Sequence, residues 1–241
     1  MPRPNLGVIG SGPGNARGVA SLRDLSDRYQ WPVRVLLSGA GSNGGTTFTD
    51  SSRWGLSVTR TGTTTTSTSQ SKWGSGSINF DGTSNAGLYI PGNTLTLAGD
   101  FAVEAWIYMS GSTAAIIDRR QTASASNWVF YVDTVSSSRR LIFSYSGVVL
   151  QATTTSISAS AWTHVAVART GSTIRLYTGG TADSTTATSS ATLTAVTDGL
   201  CGRFVATNSG AFFMNDLRVT VGSNQGYTGS SITLPSAQLT A

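Results

Sequence analysis

Glutamate, lysine, histidine and cysteine are almost missing from this chain of 241 residues, which holds Glu104, Lys72, His164 and Cys201 and no second copy of any of them. Each scarcity removes a class of chemistry. A lone cysteine forms neither an internal disulfide nor a Cys/His metal cluster, and with no base near it in sequence Cys201 reads as a small core residue. His164 has no Ser or Cys nucleophile motif around it, so a catalytic triad is not expected. Neither a phosphate-binding G-x-x-x-x-G-K-[ST] loop nor a helical H-E-x-x-H zinc motif occurs. No apolar run is long enough to cross a bilayer. The start, MPRPNLGVIGSGPG, lacks the apolar stretch of a signal peptide, so cytoplasmic synthesis is expected.

Charge is sparse as well, at 11% of residues, and the net charge of +5 is carried almost wholly by arginine. The arginines are scattered, with only Arg119–Arg120 and Arg139–Arg140 adjacent, so no basic stripe of the kind nucleic acid requires is visible. What the chain does have is hydroxyl residues and 28 glycines. That composition is poor in helix formers and rich in strand and turn formers, which predicts an all-β architecture. A domain of this length removes roughly 70% of its unfolded surface from water, so it needs neither disulfides nor metals for stability.

Organisation along the chain shows one clear break. Residues 1–18 are rich in Gly, Pro and Asn and have no periodicity, which marks an extended arm. In residues 19–31 the residues Val19, Leu22, Leu25 and Tyr29 recur at helical spacing, Asp24 and Arg28 can pair one turn apart, and Pro32 stops the pattern. A helix this short is marginal alone, so its stripe must dock, either on its own domain or on a partner as an anchor. From Val33 onward, short runs dense in β-branched and aromatic residues alternate with Gly, Asn, Ser and Thr clusters, the pattern of a sandwich or barrel. HVAVARTGSTIRLYTGG is a hairpin by spacing and turn chemistry. The tracts TGTTTTSTSQS and TADSTTATSSATLTA read as edge strands and loops with solvated hydroxyl rows. In DFAVEAWIYMSG both faces of one strand look apolar, which predicts cover on both sides.

The succession VLLSGAGSNGGTTFTDSS, SKWGSGSINFDGT, DFAVEAWIYMSG, AWTHVAVARTGSTIRLYTGG and FMNDLRVTVGSNQGYTGSSITLPSA resembles the concanavalin A-like lectin/glucanase superfamily. Within it the chain is most similar to the laminin G-like jelly-roll domains of bacteriophage tail and capsid proteins. The resemblance covers residues 33–241. It implies a two-sheet antiparallel jelly-roll sandwich preceded by the arm and helix of residues 1–32, and a virion setting. Relatives that hydrolyse glucans use two glutamates on one strand, an acid and a nucleophile roughly 5 Å apart. Here Glu104 stands between Ala102 and Trp106, so that machinery is missing and no enzyme is expected. Relatives often hold calcium through the aspartate that opens the last strand, which is Asp216 here, with Asp81 as a second candidate. The acidic residue that often follows the first strand is replaced by Ala40, so calcium is allowed but not required. Both aspartates also suit turn capping. For carbohydrate, Trp54, Trp73, Trp128 and Tyr227 lie near turns, and Trp128 with Asn127, Arg119 and Arg120 forms the leading candidate cluster.

Two functions follow. The first is a non-enzymatic virion protein, a capsid decoration or tail-associated component. Its arm and helix would fix it to other virion proteins, and its self-complementary interfaces would make it a homo-oligomer. The second is an adhesin module that recognises host surface glycans.

Overall fold

The computed structural model describes residues 32–92, 95–122, 127–196, 198–207 and 209–240. The stripe of Val19, Leu22, Leu25 and Tyr29 lies outside these residues. From the first strand onward the chain alternates strand and turn: β1 (Val33–Leu37), β2 (Thr59–Thr61), β3 (Thr65–Ser67), β4 (Ser77–Phe80), β5 (Gly87–Pro91), β6 (Phe101–Met109), β7 (Ala114–Asp118) and β8 (Trp128–Val135), followed by β9 (Ser138–Tyr145), β10 (Val148–Gln151), β11 (Trp162–Thr170), β12 (Thr173–Thr178), β13 (Thr181–Thr188), β14 (Asp198–Cys201) and β15 (Phe212–Val221). Among the described residues there is no α-helix.

The strands form two antiparallel sheets. One runs β13-β12-β11-β6-β15-β4-β3, and β1 joins it along β15; the other runs β10-β9-β8-β7-β14-β5-β2. One long strand, β15, organises the first sheet, because one of its edges pairs with β6 while the other takes β4 at Phe212–Met214 and β1 at Leu217–Thr220. The two Ser/Thr tracts supply the outer strands β3 and β13 of this sheet; the hydroxyls of β13 meet water, whereas Thr66 and Ser67 of β3 are buried, contrary to the solvated row expected from sequence. The expected strand over 56–60 forms only at Thr59–Thr61. Short strands β10 and β14 had no clear pattern of their own; β10 is held by its turn and β14 by the flanking strands β5 and β7.

The sheets stack through the inward side chains of their central strands. Phe101, Val103, Ala105, Ile107 and Met109 of β6 meet Trp128, Phe130 and Val132 of β8 and Leu141 and Phe143 of β9 in one buried cluster. Each such large side chain contributes about 1.5–3 kcal/mol of burial. Asp183 of β13 fastens the rims of the two sheets. Its carboxylate accepts the backbone N–H groups of Thr153, Thr154 and Thr155, which follow β10, and that of Thr185. These bonds outweigh the burial that would raise its pKa and hold it far below the usual carboxylate range.

The other face of β6 is also covered, as its alternation demanded. Ala102 joins Ala166, Ala168, Tyr177 and Tyr227 in a second, smaller cluster, with Ile232 packed against it. The lid is the segment after β15. Ala182 N–H donates to Ser230 O, Ile232 N–H to Gly180 O, and the Tyr177 hydroxyl to Gly229 O. Alanines on β6 and β11 leave room for that segment to lie close.

Three hairpins show how turns set register. Between β11 and β12 the loop closes to Gly171–Ser172, with Thr170 opposite Thr173 and Gly171 at φ +58°. Two-residue loops favour primed turns, in which glycine takes positive φ without strain. Between β9 and β10 the loop Ser146–Gly147 has both residues at positive φ. Between β8 and β9 the same conformation falls on two serines, Ser136 at φ +49° and Ser137 at φ +65°. Side chains in that region are strained by roughly 1 kcal/mol each. Replacing Ser136–Ser137 by Asn–Gly is therefore expected to raise unfolding stability by about 1 kcal/mol with the denaturant slope unchanged; equal or lower stability in chemical denaturation would mean that this turn is not strained.

Candidate functional site

Alternation along β6 sends Ala102, Glu104, Trp106 and Tyr108 to the face away from the main core. Glu104 is the centre of this face and has no exposure to solvent. Arg218, facing it from β15, donates Nε and one terminal nitrogen to Oε1 at 2.8 and 2.6 Å. Oε2 accepts the Tyr227 hydroxyl at 2.6 Å and lies 2.9 Å from Nε2 of His164 on β11. An ionised carboxylate only accepts, so Nε2 carries the histidine proton. Burial works to raise the Glu104 pKa, but the His164 bond, the Arg218 charge and the Tyr227 hydroxyl outweigh it, and the net shift is downward. Burial and the Glu104 charge together push the Tyr227 hydroxyl far up, so it stays a donor. Neither Glu104 nor His164 reaches solvent, and both oxygens of the carboxylate are occupied.

Beside this hub the face opens. Register places Trp162 of β11 opposite Tyr108 of β6, Tyr108 opposite Phe213 of β15, Phe213 opposite Asn79 of β4, and Asn79 opposite Thr65 of β3. All five are half-buried, so the row reaches water across five strands. Tyr108 lies 5.8 Å from Trp162 and 5.9 Å from Phe213 between ring centroids, and the rings are tilted or edge-on to one another. Strands spaced about 4.8 Å apart make this a strip roughly 20 Å long. Its wall is the turn before β4. Trp73 sets its edge against Trp106 at 5.8 Å, Lys72 Nζ sits 3.9 Å from the Trp106 ring centroid, and the Lys72 backbone N–H donates to Asn215. Aromatic rings in a row with polar groups at one end suit ligands with an apolar face and many hydroxyls.

The residues predicted from sequence do lie side by side, with Arg119 N–H donating to Trp128 O at 2.9 Å, but they do not form a sugar site. Trp128 is fully buried, and its indole N–H donates to Leu95 O inside the main core, so its ring faces are closed to a sugar. Arg119 is buried too, with its guanidinium donating to the carbonyls of Ile90, Gly92 and Val196. A Cβ at Gly199 would collide with that guanidinium, so the glycine in β14 makes room for it. Arg120 grips Asp118 at 2.7 Å, and Asn127 donates to Thr194. The pairing of two arginines in sequence misled because alternation puts one inside and one outside. Trp54 lies under the Arg34 guanidinium, and Tyr227 serves the hub. The residues of the aromatic row were missed because each looked like one more core aromatic. The available signal was parity: once Phe101 and Val103 point inward, Tyr108 points out.

The two aspartates offered for calcium are also apart. Asp81 follows β4 and caps its turn through Thr83 N–H and Oγ, whereas Asp216 lies on β15 beyond the residues that pair with β4, roughly 16 Å away along the strand. No group of three acidic, His or Cys side chains is poised for a metal among the described residues. These residues do not fit a shared calcium site. Asp216 instead occupies a bulge opposite β6, at φ +54°, with one oxygen accepting Leu239 N–H and the other, Oδ1, buried without a partner. Burial raises its pKa to about 6, against the Leu239 bond and the Arg218 charge. Cys201 is buried, and its thiol pKa is pushed well up by that burial, so it is a core residue as expected.

The family model described as the concanavalin A-like lectin/glucanases superfamily matches residues 80–220. No curated protein matches. Among solved structures, domain 4 of AbnA, a GH43 extracellular arabinanase from Geobacillus stearothermophilus in complex with arabinotriose, superposes with TM-score 0.60 at 14% identity, covering 81% of this chain and 95% of that one. The botulinum neurotoxin type G receptor binding domain gives TM-score 0.55 at 13% identity over 81% of this chain and 49% of that one. A Trypanosoma rangeli sialidase gives 0.51 at 13% identity over 78% of this chain and 30% of that one. At these identities the likeness is one of fold.

Asp216 also sets a pH dependence. Its folded pKa of about 6 lies above the unfolded value of about 3.9, so the folded state holds the proton more tightly. Its contribution is complete below pH ~4 and is lost as pH rises through about 6. Asp216→Asn, which keeps a side chain tolerant of positive φ, is expected to raise stability at pH 7 by about 2 kcal/mol and to flatten the stability profile between pH ~4 and ~6. Denaturation curves collected across that range check it, and an unchanged slope there would contradict it.

Proposed function

The chain belongs to the concanavalin A-like lectin/glucanase superfamily, and from that premise we propose that it is a non-catalytic glycan-binding module whose ligand lies along Trp162, Tyr108 and Phe213. The observation that carries this is the continuous, half-exposed aromatic row with hydroxyl and amide groups at its β3–β4 end. Stacking is worth about 0.5–1.5 kcal/mol per ring beyond the area buried, so three rings in line give useful affinity without catalytic groups. A non-catalytic role is supported by Glu104, the chain's one glutamate, which is sealed off and fully engaged. The structural neighbours, among them an arabinanase domain with bound arabinotriose, support a saccharide as the ligand.

The setting included in this proposal is the surface of a bacteriophage particle. Residues 1–32 would join the sandwich to other virion proteins or to further copies of the chain, with the aromatic strip outward. The ground for that setting is the resemblance read from the sequence of residues 33–241.

Isothermal titration against a panel of oligosaccharides is the direct test. Trp162→Ala is expected to lower affinity about tenfold or more while leaving the melting temperature within a few degrees, because the side chain is partly exposed and lies outside both core clusters. Full affinity in that variant would remove the strip from the binding site.

A further inference from the structure

Lys72, the chain's one lysine, stands at the wall of the aromatic strip. Its ammonium lies 3.9 Å from the Trp106 ring centroid and 4.9 Å from that of Trp73, and the residue is half-buried. The ion pairs among the described residues join Arg120 to Asp118 and both Arg218 and His164 to Glu104, and none includes Lys72. Of the carboxylates close to this face, Glu104 is already saturated by Arg218, His164 and Tyr227, and Asp216, next in the chain to Asn215, forms no ion pair with Lys72. The charge held over the two indoles is therefore left without an anion among the described residues, while its backbone is pinned to Asn215. Cation–π contact holds a cation in place without neutralising it.

Trp106 and Tyr108 are two residues apart on one face of β6, a spacing of about 7 Å. A sugar ring stacked on Tyr108 thus presents its substituents toward the Lys72 ammonium. We infer that the strip selects carboxylated glycans, with Lys72 as the specificity-determining residue that pairs with the sugar carboxylate. This rests on the glycan-binding reading of the same strip. The net charge of +5 adds long-range attraction for an acidic ligand, strongest at low salt. Sialic and uronic acids share the required chemistry, a carboxylate fixed to a pyranose ring.

The test measures binding of the full chain to sialyllactose and to an oligogalacturonate, each beside its carboxyl-reduced analogue, with wild type, Lys72→Gln, Lys72→Arg and Trp162→Ala. At about 0.1 M salt the wild type is expected to bind at least one acid about fivefold tighter than its reduced form, the upper range for a screened ion pair. The gap narrows as salt is raised, disappears in Lys72→Gln and persists in Lys72→Arg, whereas Trp162→Ala weakens acid and reduced forms alike. Which of the two acids shows the gap separates a sialyl from a uronate ligand. Equal binding of acid and reduced forms by the wild type, or a gap that survives Lys72→Gln, overturns the role of Lys72 and leaves the stacking site standing. Failure to bind any of the four saccharides overturns the inference, and a wider panel that is also silent overturns the glycan-binding reading with it.

Discussion

A carboxylate with no exposure, placed in the middle of a sheet, is the constraint around which this molecule is arranged. An unpaired charge there would cost several kcal/mol, so Glu104 must be satisfied in full or neutralised. Satisfaction comes from three separate parts of the chain: His164 on β11, Arg218 on β15 and Tyr227 beyond it. The bonds fix the three central strands β11, β6 and β15 in register on their outer side and fasten the closing segment to the sheet. Removing any one partner strands the others, which makes this face a single unit.

The closing segment then explains why one strand can look apolar on both sides. Inward, Phe101 to Met109 build the sandwich core; outward, Ala102 and its alanine neighbours on β11 admit Tyr227 and Ile232. Cover ends where the segment ends. Past Trp106 the outer face carries large aromatics with nothing of comparable size over them, and that boundary between covered and open sheet positions the strip of Trp162, Tyr108 and Phe213.

Much of the architecture was legible in sequence. The ranges of β1, β6, β7, β12 and β15 coincide with runs of β-branched and aromatic residues, because alternation and turn chemistry act locally. The Ser/Thr tracts read as edge strands for the same reason. The turn at Ser136–Ser137 carries no such mark, since its serines lack the Asn–Gly signature that the conformation favours. Trp128 and Arg119 were misread because a tryptophan beside a turn and an arginine pair look like surface features. The core has room for both, and buried carbonyls of Ile90, Gly92 and Val196 await the guanidinium.

Sequence alone determined that this chain folds as an antiparallel sandwich, that both faces of the Trp106 strand are covered, and that the two-glutamate strand motif of glucan-hydrolysing relatives is missing, since these follow from periodicity and from the single glutamate. Tertiary structure alone decided which aromatics meet solvent, that Glu104 is shared among distant strands, and that Lys72 stands over two indoles with no ion-pair partner among the described residues. Those facts depend on contacts between segments far apart in sequence, and pairing at that distance is set by the whole packed core rather than by any local pattern.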